Sequence, residues 1–163
     1  MEHDMPQPPN QGIQDNLATV RAMFAAVAAR GDPTQAAERW AAYVSRYDEN
    51  AVIHEAPSLP YGGEYTGISG IAAHAQGYGA AWGPVQDSAL QDLEPIFIAE
   101  NDQVIVLWRQ RGLNAQSGEQ FDMPATSVYK MKNGRVLESR MFHFDVSSVR
   151  DFLHRAQANN ERT

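Results

Sequence analysis

A carboxylate and an imidazole in an apolar pocket can move a proton between two atoms of a bound molecule. This chain carries the parts for that chemistry in Glu55, His143 and His74. Glu55 ends the β-forming run Ala51-Val52-Ile53 and is followed at once by a corner containing Pro57, Pro60, Gly62 and Gly63. An ionisable group at the end of a buried strand is costly unless it is paired, solvated or used. Burial would lift the Glu55 pKa toward neutrality, and a nearby histidine would oppose that rise. The same carboxylate could instead bond backbone amides of the Pro57–Gly63 corner, leaving His143 as a packed core or rim residue. His54 precedes Glu55 and so faces the other way, as an outward structural residue. His74 follows Ile71 by three residues and precedes Tyr78 by four, which suits a packing histidine as well as a site residue. HExxH-type spacing is absent, and Glu55 with His54 or His143 is too sparse a set for a metal centre. With no nucleotide or flavin motif either, no cofactor and no metal are expected.

The elements that must position these groups fall into two halves. Ile13, Leu17, Val20, Phe24 and Val27 recur at four- and three-residue steps, predicting an amphipathic helix closed by Gly31. Asp32-Pro33 then caps a second helix carrying Ala36, Trp40, Tyr43 or Val44, and Tyr47 on one side. After the short strand and its corner, Ile68, Ile71, Ala75, Tyr78 and Trp82 form a third helical stripe, weakened by glycines at 67, 70, 77 and 79. From Ala89 the period becomes two. Residues 89–100, 103–113, 119–131 and 135–144 read as an antiparallel meander, and Asp145 and Ser147 can cap a last helix with Val149, Phe152 and Leu153. The order predicts an α+β fold with helices over one face of a curved sheet.

Strand parity assigns side chains to the pocket. Phe121, Met123, Ala125, Ser127 and Tyr129 share the apolar, inward face of strand 119–131. In strand 103–113 the even face, with Val104, Val106, Trp108 and Gln110, carries less charge than the odd face with Arg109 and Arg111. The last strand depends on its hairpin. A two-residue Asn133-Gly134 turn would put Glu138, Arg140 and Phe142 inside; a three-residue Lys132-Asn133-Gly134 loop would put Leu137, Ser139, Met141 and His143 there. The second is preferred because it keeps Glu138 and Arg140 out of the cavity. One apolar pocket would then collect Glu55, Trp108, Met123, Ser127, Met141 and His143, with His74 joining from the third helix. Tyr61 and Tyr65 flank the Gly-Gly corner and could either gate a ligand or pack the corner.

Composition narrows the remaining classes. At 163 residues and no cysteine, the chain suits one domain with a real core and no disulfide or thiolate site. The polar, proline-rich residues 1–12 read as a disordered arm and not a secretion signal, 13–158 as the domain and 159–163 as a tail. No run of 18 apolar residues occurs, and a net charge of −7 without a basic cluster argues against nucleic acid. A cytoplasmic protein bound to neither membrane nor nucleic acid is expected.

The layout, the acid after the first strand, the YGGEYTG corner and the closing FHFD resemble the nuclear-transport-factor-2-like superfamily over residues 13–155. Within it the chain is most similar to SnoaL-like polyketide cyclases and their ketosteroid isomerase relatives. The resemblance implies a cone-shaped sheet enclosing an apolar pocket and a homodimer formed through the outer sheet face. It places Glu55 where the isomerases hold their general base. It puts Trp108, Met123 and Met141 on pocket-lining positions and His143 near the pocket's end; Phe24, Tyr61, Tyr65, Trp82 and Ser127 are taken as further substrate-binding candidates. The isomerases' oxyanion-donating tyrosine is replaced here by Phe24, and their neutral aspartic acid by Ser127, so steroid isomerisation is not expected. What remains is cofactor-free ring closure or isomerisation of a hydrophobic polyketide- or terpenoid-like molecule in secondary metabolism. Epoxide opening and plain small-molecule binding or assembly are the alternatives that this fold also hosts.

Overall fold

In the computed structural model, which describes residues 11–28, 35–86 and 92–160, the change of period becomes a helical layer on a six-stranded sheet. The elements are α1 (Gln11–Ala28), α2 (Ala36–Val44), β1 (Tyr47–Glu55), β2 (Gly63–Thr66), α3 (Gly67–Trp82), β3 (Ile96–Glu100), β4 (Gln103–Asn114), β5 (Glu119–Lys132), β6 (Arg135–His143) and α4 (Val146–Asn160). The strands are ordered β2-β1-β6-β5-β4-β3. The β1–β6 pair is parallel and the others are antiparallel, so the sheet is mixed. The α+β architecture is therefore the one expected. No helix among the described residues is long and apolar enough to cross a membrane.

The helical faces are rotated slightly from the sequence reading. On α1 the buried residues are Asn16, Thr19, Val20, Met23 and Phe24, while Ile13, Leu17 and Val27 are half-buried. Thr19 is held inside because its hydroxyl donates to the Gly134 carbonyl at 2.7 Å. On α3 the buried stripe is Ile71, His74, Ala75, Tyr78 and Trp82, and Ile68 is exposed. Two α3 glycines have a packing reason. A Cβ at Gly70 would lie 3.0 Å from the Tyr65 carbonyl carbon, and one at Gly77 would lie 3.3 Å from Tyr61 Cβ. Their absence of side chain lets α3 lie close against the corner that follows Glu55.

Several boundaries differ from expectation. Tyr47 belongs to β1 and not to the second helix, and β1 runs nine residues. Gly63–Thr66, read as part of a turn, pairs with β1 as a short edge strand, Val52 opposite Thr66 and Glu55 opposite Gly63. β3 begins only at Ile96, after Glu94 in a left-handed conformation (φ 48°) and Pro95. Helix α1 starts at Gln11 and α4 reaches Asn160, so both extend past the limits drawn for the domain. The Gly31 and Asp32-Pro33 signals and residues 89–91 lie outside the described residues.

The β5–β6 hairpin combines features of both registers considered. Lys132 pairs with Arg135 across a two-residue turn in which Asn133 (φ 50°) and Gly134 (φ 72°) are both left-handed, the type I′ signature. This overturns the three-residue loop. The side-chain assignment survives through a different device. Met131 faces Val136 but Lys130 faces Glu138, so Leu137 is an extra residue, a β-bulge. Beyond it Ser139, Met141 and His143 turn inward opposite Tyr129, Ser127 and Ala125, whereas Leu137 is taken up by the bulge. Deleting Leu137 removes the bulge but leaves every later pair in place, Glu138 opposite Lys130 and Met141 opposite Ser127, so Ser139, Met141 and His143 stay inward. The expected result is a cooperative thermal transition with His143 still buried. A variant that loses cooperative melting or exposes His143 would contradict the assignment.

The interior divides into two clusters. One lies between α1, α3 and the sheet, around Val20, Phe24, Ile53, Val106, Trp108 and Tyr129. The other forms where α4 docks, around Tyr61, Trp82, Phe121, Val149 and Phe152.

Candidate active site

Glu55 is the last residue of β1, with its side chain fully buried. Two imidazoles converge on its two oxygens. His74 Nε2, from the middle of α3, stands 3.2 Å from Oε2. His143 Nε2, at the end of β6, stands 3.7 Å from Oε1, and its side chain is only 1 % exposed. Neither His74 Nδ1 nor His143 Nδ1 has a hydrogen-bond partner. His74 is enclosed by rings, with Tyr65, Tyr61 and Tyr78 centroids at 5.2, 6.0 and 6.4 Å.

Burial is the largest influence on the Glu55 carboxyl and pushes its pKa up, but the close approach of His143 and the hydrogen bond from His74 outweigh it. The net shift is downward from the ordinary 4.5. The balance expected between burial and histidine thus falls on the side of the ion. An ionised carboxylate accepts only, so His74 donates its Nε2–H to Glu55, which in the neutral ring leaves the lone pair on Nδ1. A folded-state pKa below the unfolded value stabilises the fold fully above pH 4.5, and that contribution fades as pH falls through the folded value. In a His74→Leu/His143→Leu double variant burial is left to dominate, and the Glu55 carboxyl is expected to titrate above the ordinary value. Site-specific ¹³C NMR of the Glu55 carboxyl checks this; a midpoint still below 4.5 would contradict it.

His74 also lines an apolar cavity, with Phe24, Trp108, Tyr129 and Met141 among its walls and Trp40 and Tyr43 closing it from α2. The cavity volume is about 30 Å³, room for one or two waters. Burial raises the pKa of the Tyr43 and Tyr129 hydroxyls well above the usual phenol value, so both stay protonated. Tyr43 meets the Tyr47 hydroxyl at 2.9 Å. Glu55 and His143 do not line this cavity. They line a second hollow of about 280 Å³, with His54, Arg140, Met141 and Phe142.

The candidate residues are therefore distributed unevenly. Glu55, His74 and His143 form one cluster, and Phe24, Trp108 and Met141 line the cavity beside His74. Ser127 is buried next to it, accepting the Trp108 indole N–H at 3.0 Å and facing Met141 Sδ at 3.0 Å. Tyr65 packs on His74 and donates to the Tyr61 carbonyl at 3.1 Å. Tyr61, Trp82 and Met123 stand elsewhere, in the cluster under α4. Tyr61 is a core residue and no gate: it is 1 % exposed and accepts the Trp82 indole N–H at 2.8 Å. Met123 Sδ instead takes the Asp145 amide, and Asp145 in turn accepts the Ser147 and Ser148 amides as the α4 cap. His54 lies on the outer face between Glu64 (3.2 Å) and Glu138 (3.3 Å). Arg109 pairs with Asp122 at 2.6 Å and Arg111 with Glu94 at 2.9 Å. Sequence reasoning missed Tyr129 and Tyr43 as cavity walls; the inward parity of Tyr129 beside Ser127 was the available signal. Among the described residues no group of three or more side chains has metal-holding geometry.

The SnoaL-like domain profile matches residues 20–139, most of the sheet and the helices that cover it. This chain belongs to the SnoaL-like family. Solved structures similar to this SnoaL-like protein include TerC co-crystallised with polyporic acid (14 % identity, 86 % of this chain and 98 % of that one, TM-score 0.66). An NTF2-like protein of unknown function from Burkholderia pseudomallei K96243 is 20 % identical over 82 % and 93 % of the chains, TM-score 0.63. A candidate SnoaL-like polyketide cyclase from Jannaschia sp. CCS1 is 19 % identical over 88 % and 94 %, TM-score 0.57. At these identities the likeness establishes the NTF2-like fold. Comparison with curated sequences returns no match.

Proposed function

We propose that this SnoaL-like protein is a cofactor-free acid–base enzyme that cyclises or isomerises a hydrophobic polyketide- or terpenoid-like molecule, acting in the cytoplasm. The observation that carries the reading is the buried Glu55–His74 pair, 3.2 Å apart, with His74 in the wall of an apolar aromatic cavity. His74 is the group that meets substrate. Its Nδ1 lone pair takes a proton from an acidic C–H or O–H, Glu55 stabilises the resulting imidazolium, and the proton returns to a second substrate atom. This moves the substrate-facing role from Glu55, where parity and resemblance had put it, to His74. Tyr43 and Tyr129 are the neutral hydroxyls available to a substrate oxygen, in place of the donors whose positions hold Phe24 and Ser127.

A substrate of ordinary size needs several hundred Å³, so the cavity must open to receive it. Trp40 and Ala75 line both the cavity and an outer groove of about 710 Å³ between α2 and α3. None of the residues of α2 is fully buried. Displacement of α2 would join the two spaces. A second copy of the chain is the proposed cover for the outer sheet face. There Ile96, Leu107 and Phe142 stand in one cross-strand row through Thr126 and remain 59, 41 and 54 % exposed.

Native mass spectrometry of protein from its own host, before and after denaturation, tests the reading. An apolar oxygenated molecule that is released and then converted by fresh protein is expected. A molecule that is bound but never converted would assign a binding domain instead, and ¹⁸O from water in the product would favour hydrolytic epoxide opening.

A further inference from the structure

The outer groove between α2 and α3 ends at a cation that the fold itself does not use. α3 supplies Ile68, Ala72, Ala75 and Gly79 to one side of this space of about 710 Å³, and α2 supplies Trp40 and Val44 to the other. Ile68 remains 43 % exposed, a large apolar side chain left uncovered. Among the described residues that line the groove, Arg135 is the only charged one. It stands at the Ile68 end. A Cβ at Gly67 would lie 3.5 Å from the Glu49 carbonyl oxygen of β1, and β1 begins with Tyr47 paired to Val136. Gly79 and Trp40 mark the other end, roughly 16 Å along α3 from Ile68. There a Cβ at Gly79 would meet the Trp40 indole at 3.8 Å.

Arg109, Arg111, Arg140 and Arg155 each pair with a carboxylate. Among the described residues Arg135 does not. Nor do Lys132, directly opposite it across the hairpin, and Arg46, whose carbonyl accepts the Val136 amide at 2.9 Å. Asp15, Asp48 and Glu49 on the neighbouring elements form no ion pair with any of the three. Like charges opposite each other on paired strands repel. In a chain of net charge −7, this corner thus keeps neighbouring cationic residues without an anion.

We propose that this groove binds an apolar carboxylic acid, with the carboxylate on Arg135 and the hydrocarbon body laid along α3 toward Trp40. A guanidinium is always charged, and its planar fork matches the two oxygens of a carboxylate. The small side chains of Ala72 and Ala75, and Gly79 without one, leave the floor open to an extended body. The rest of the lining is uncharged and offers nothing to a second anionic group, so the ligand is a monoacid with an apolar tail. This deepens the proposed function, and the acid's role as substrate rests on that reading. Trp40 and Ala75 also wall the inner cavity, and Ala75 directly follows His74 in the chain. Displacement of α2 would therefore bring the end remote from the carboxylate to His74, while Arg135 holds the charged head outside the apolar cavity.

Calorimetric titration of the whole protein with decanoate, decanol and decyl phosphate, each below its micelle concentration, tests the assignment. Decanoate is expected to bind at least roughly tenfold more tightly than decanol. Arg135→Gln is expected to erase that preference and leave decanol affinity unchanged. Arg135→Lys restores it only in part, because an ammonium lacks the planar fork. Ala72→Trp, which fills the floor of the groove, is expected to weaken both ligands. Equal affinity for acid and alcohol, a preference that survives Arg135→Gln, or tightest binding of decyl phosphate would overturn the proposal. So would a wild type that ignores decanoate while Ile68→Glu dissociates a dimer, since a second copy would then be the occupant. If Arg135→Gln fails to fold, the wild-type comparison decides: a preference for decanoate that is absent, or that does not weaken with added salt, overturns the site. Failure of the enzyme reading looks different. An acid that binds with the predicted preference but takes up no solvent deuterium would leave this site standing and remove the chemistry at His74. Conversion of a host molecule that carries no acid group would remove this proposal alone.

Discussion

Glu55→Gln is expected to lower turnover of the authentic substrate by roughly 10²–10⁴-fold, with the cavity and fold intact. Glutamine keeps the shape of the side chain and can still accept from His74 Nε2, but it carries no charge to stabilise the imidazolium that forms when Nδ1 takes a proton. His74→Gln is expected to cost about as much. The informative result is the combination. If Glu55 acts only through His74, the double variant loses little beyond either single change, because groups that operate as one unit are strongly non-additive. A double loss equal to the product of the single losses would mean that Glu55 has its own contact with substrate, as general base in the manner of the isomerase relatives. Steady-state kinetics on the four proteins, checked by thermal melts, distinguishes these outcomes.

Trp82→Ala is expected to produce the largest loss of stability, about 3–5 kcal/mol, while leaving ligand affinity unchanged once the protein is folded. Trp82 is fully buried, stacks on Phe152 with ring centroids 6.1 Å apart, and donates its indole N–H to Tyr61. Gly112 opposite it is tight: a Cβ there would lie 3.2 Å from the indole and 3.0 Å from Phe152. Truncation therefore leaves a cavity that this packed neighbourhood can fill only in part, and it also removes the partner of the Tyr61 hydroxyl. The melting temperature is expected to fall on the order of 10 °C. A loss below about 1 kcal/mol, accompanied by weaker ligand binding, would restore Trp82 to the site.

The contrast between these two residues shows what the sequence could and could not reveal. Strand parity located Trp108, Ser127 and Met141 correctly because each strand has only two faces and one of them carries the charges. Helical spacing brought His74 to the buried side of α3 for the same reason. Trp82 shares that stripe, but two turns along α3 the packing partner changes from the cavity wall to α4, and nothing local to Trp82 announces it. Tyr61 and Met123 stand in the α4 cluster through the same long-range packing. The inward direction of His143 was expected for a reason that proved incorrect. A type I′ turn alone would have pointed it outward, and the bulge at Leu137 restores it. A bulge is one residue of backbone with no side-chain signature, so the choice between registers rested on keeping Glu138 and Arg140 out of the cavity. The short edge strand β2 was hidden by its glycine and by its position directly after the corner. The sign of the Glu55 shift depends on two imidazoles arriving from α3 and β6, which only the folded geometry decides.

On the proposed reading, the same geometry would let a SnoaL-like chain without the isomerases' two oxyanion donors carry out acid–base chemistry. The charge is held behind the reacting group. Glu55 is shielded from substrate by His74, and the two Nε2 atoms keep it ionised despite burial. What faces the cavity is an imidazole and phenols, which penalise entry of a greasy molecule less than a bare carboxylate would.

The most direct measurement is deuterium wash-in. The molecule that co-purifies with the protein is incubated in D₂O with wild-type protein, with His74→Gln and alone, and its mass is followed over time. Proton transfer at His74 predicts incorporation of solvent deuterium into substrate or product in the presence of wild-type protein, and background incorporation with His74→Gln. A bound molecule whose mass and identity stay unchanged with wild-type protein would contradict the account and identify the cavity as a binding site without chemistry.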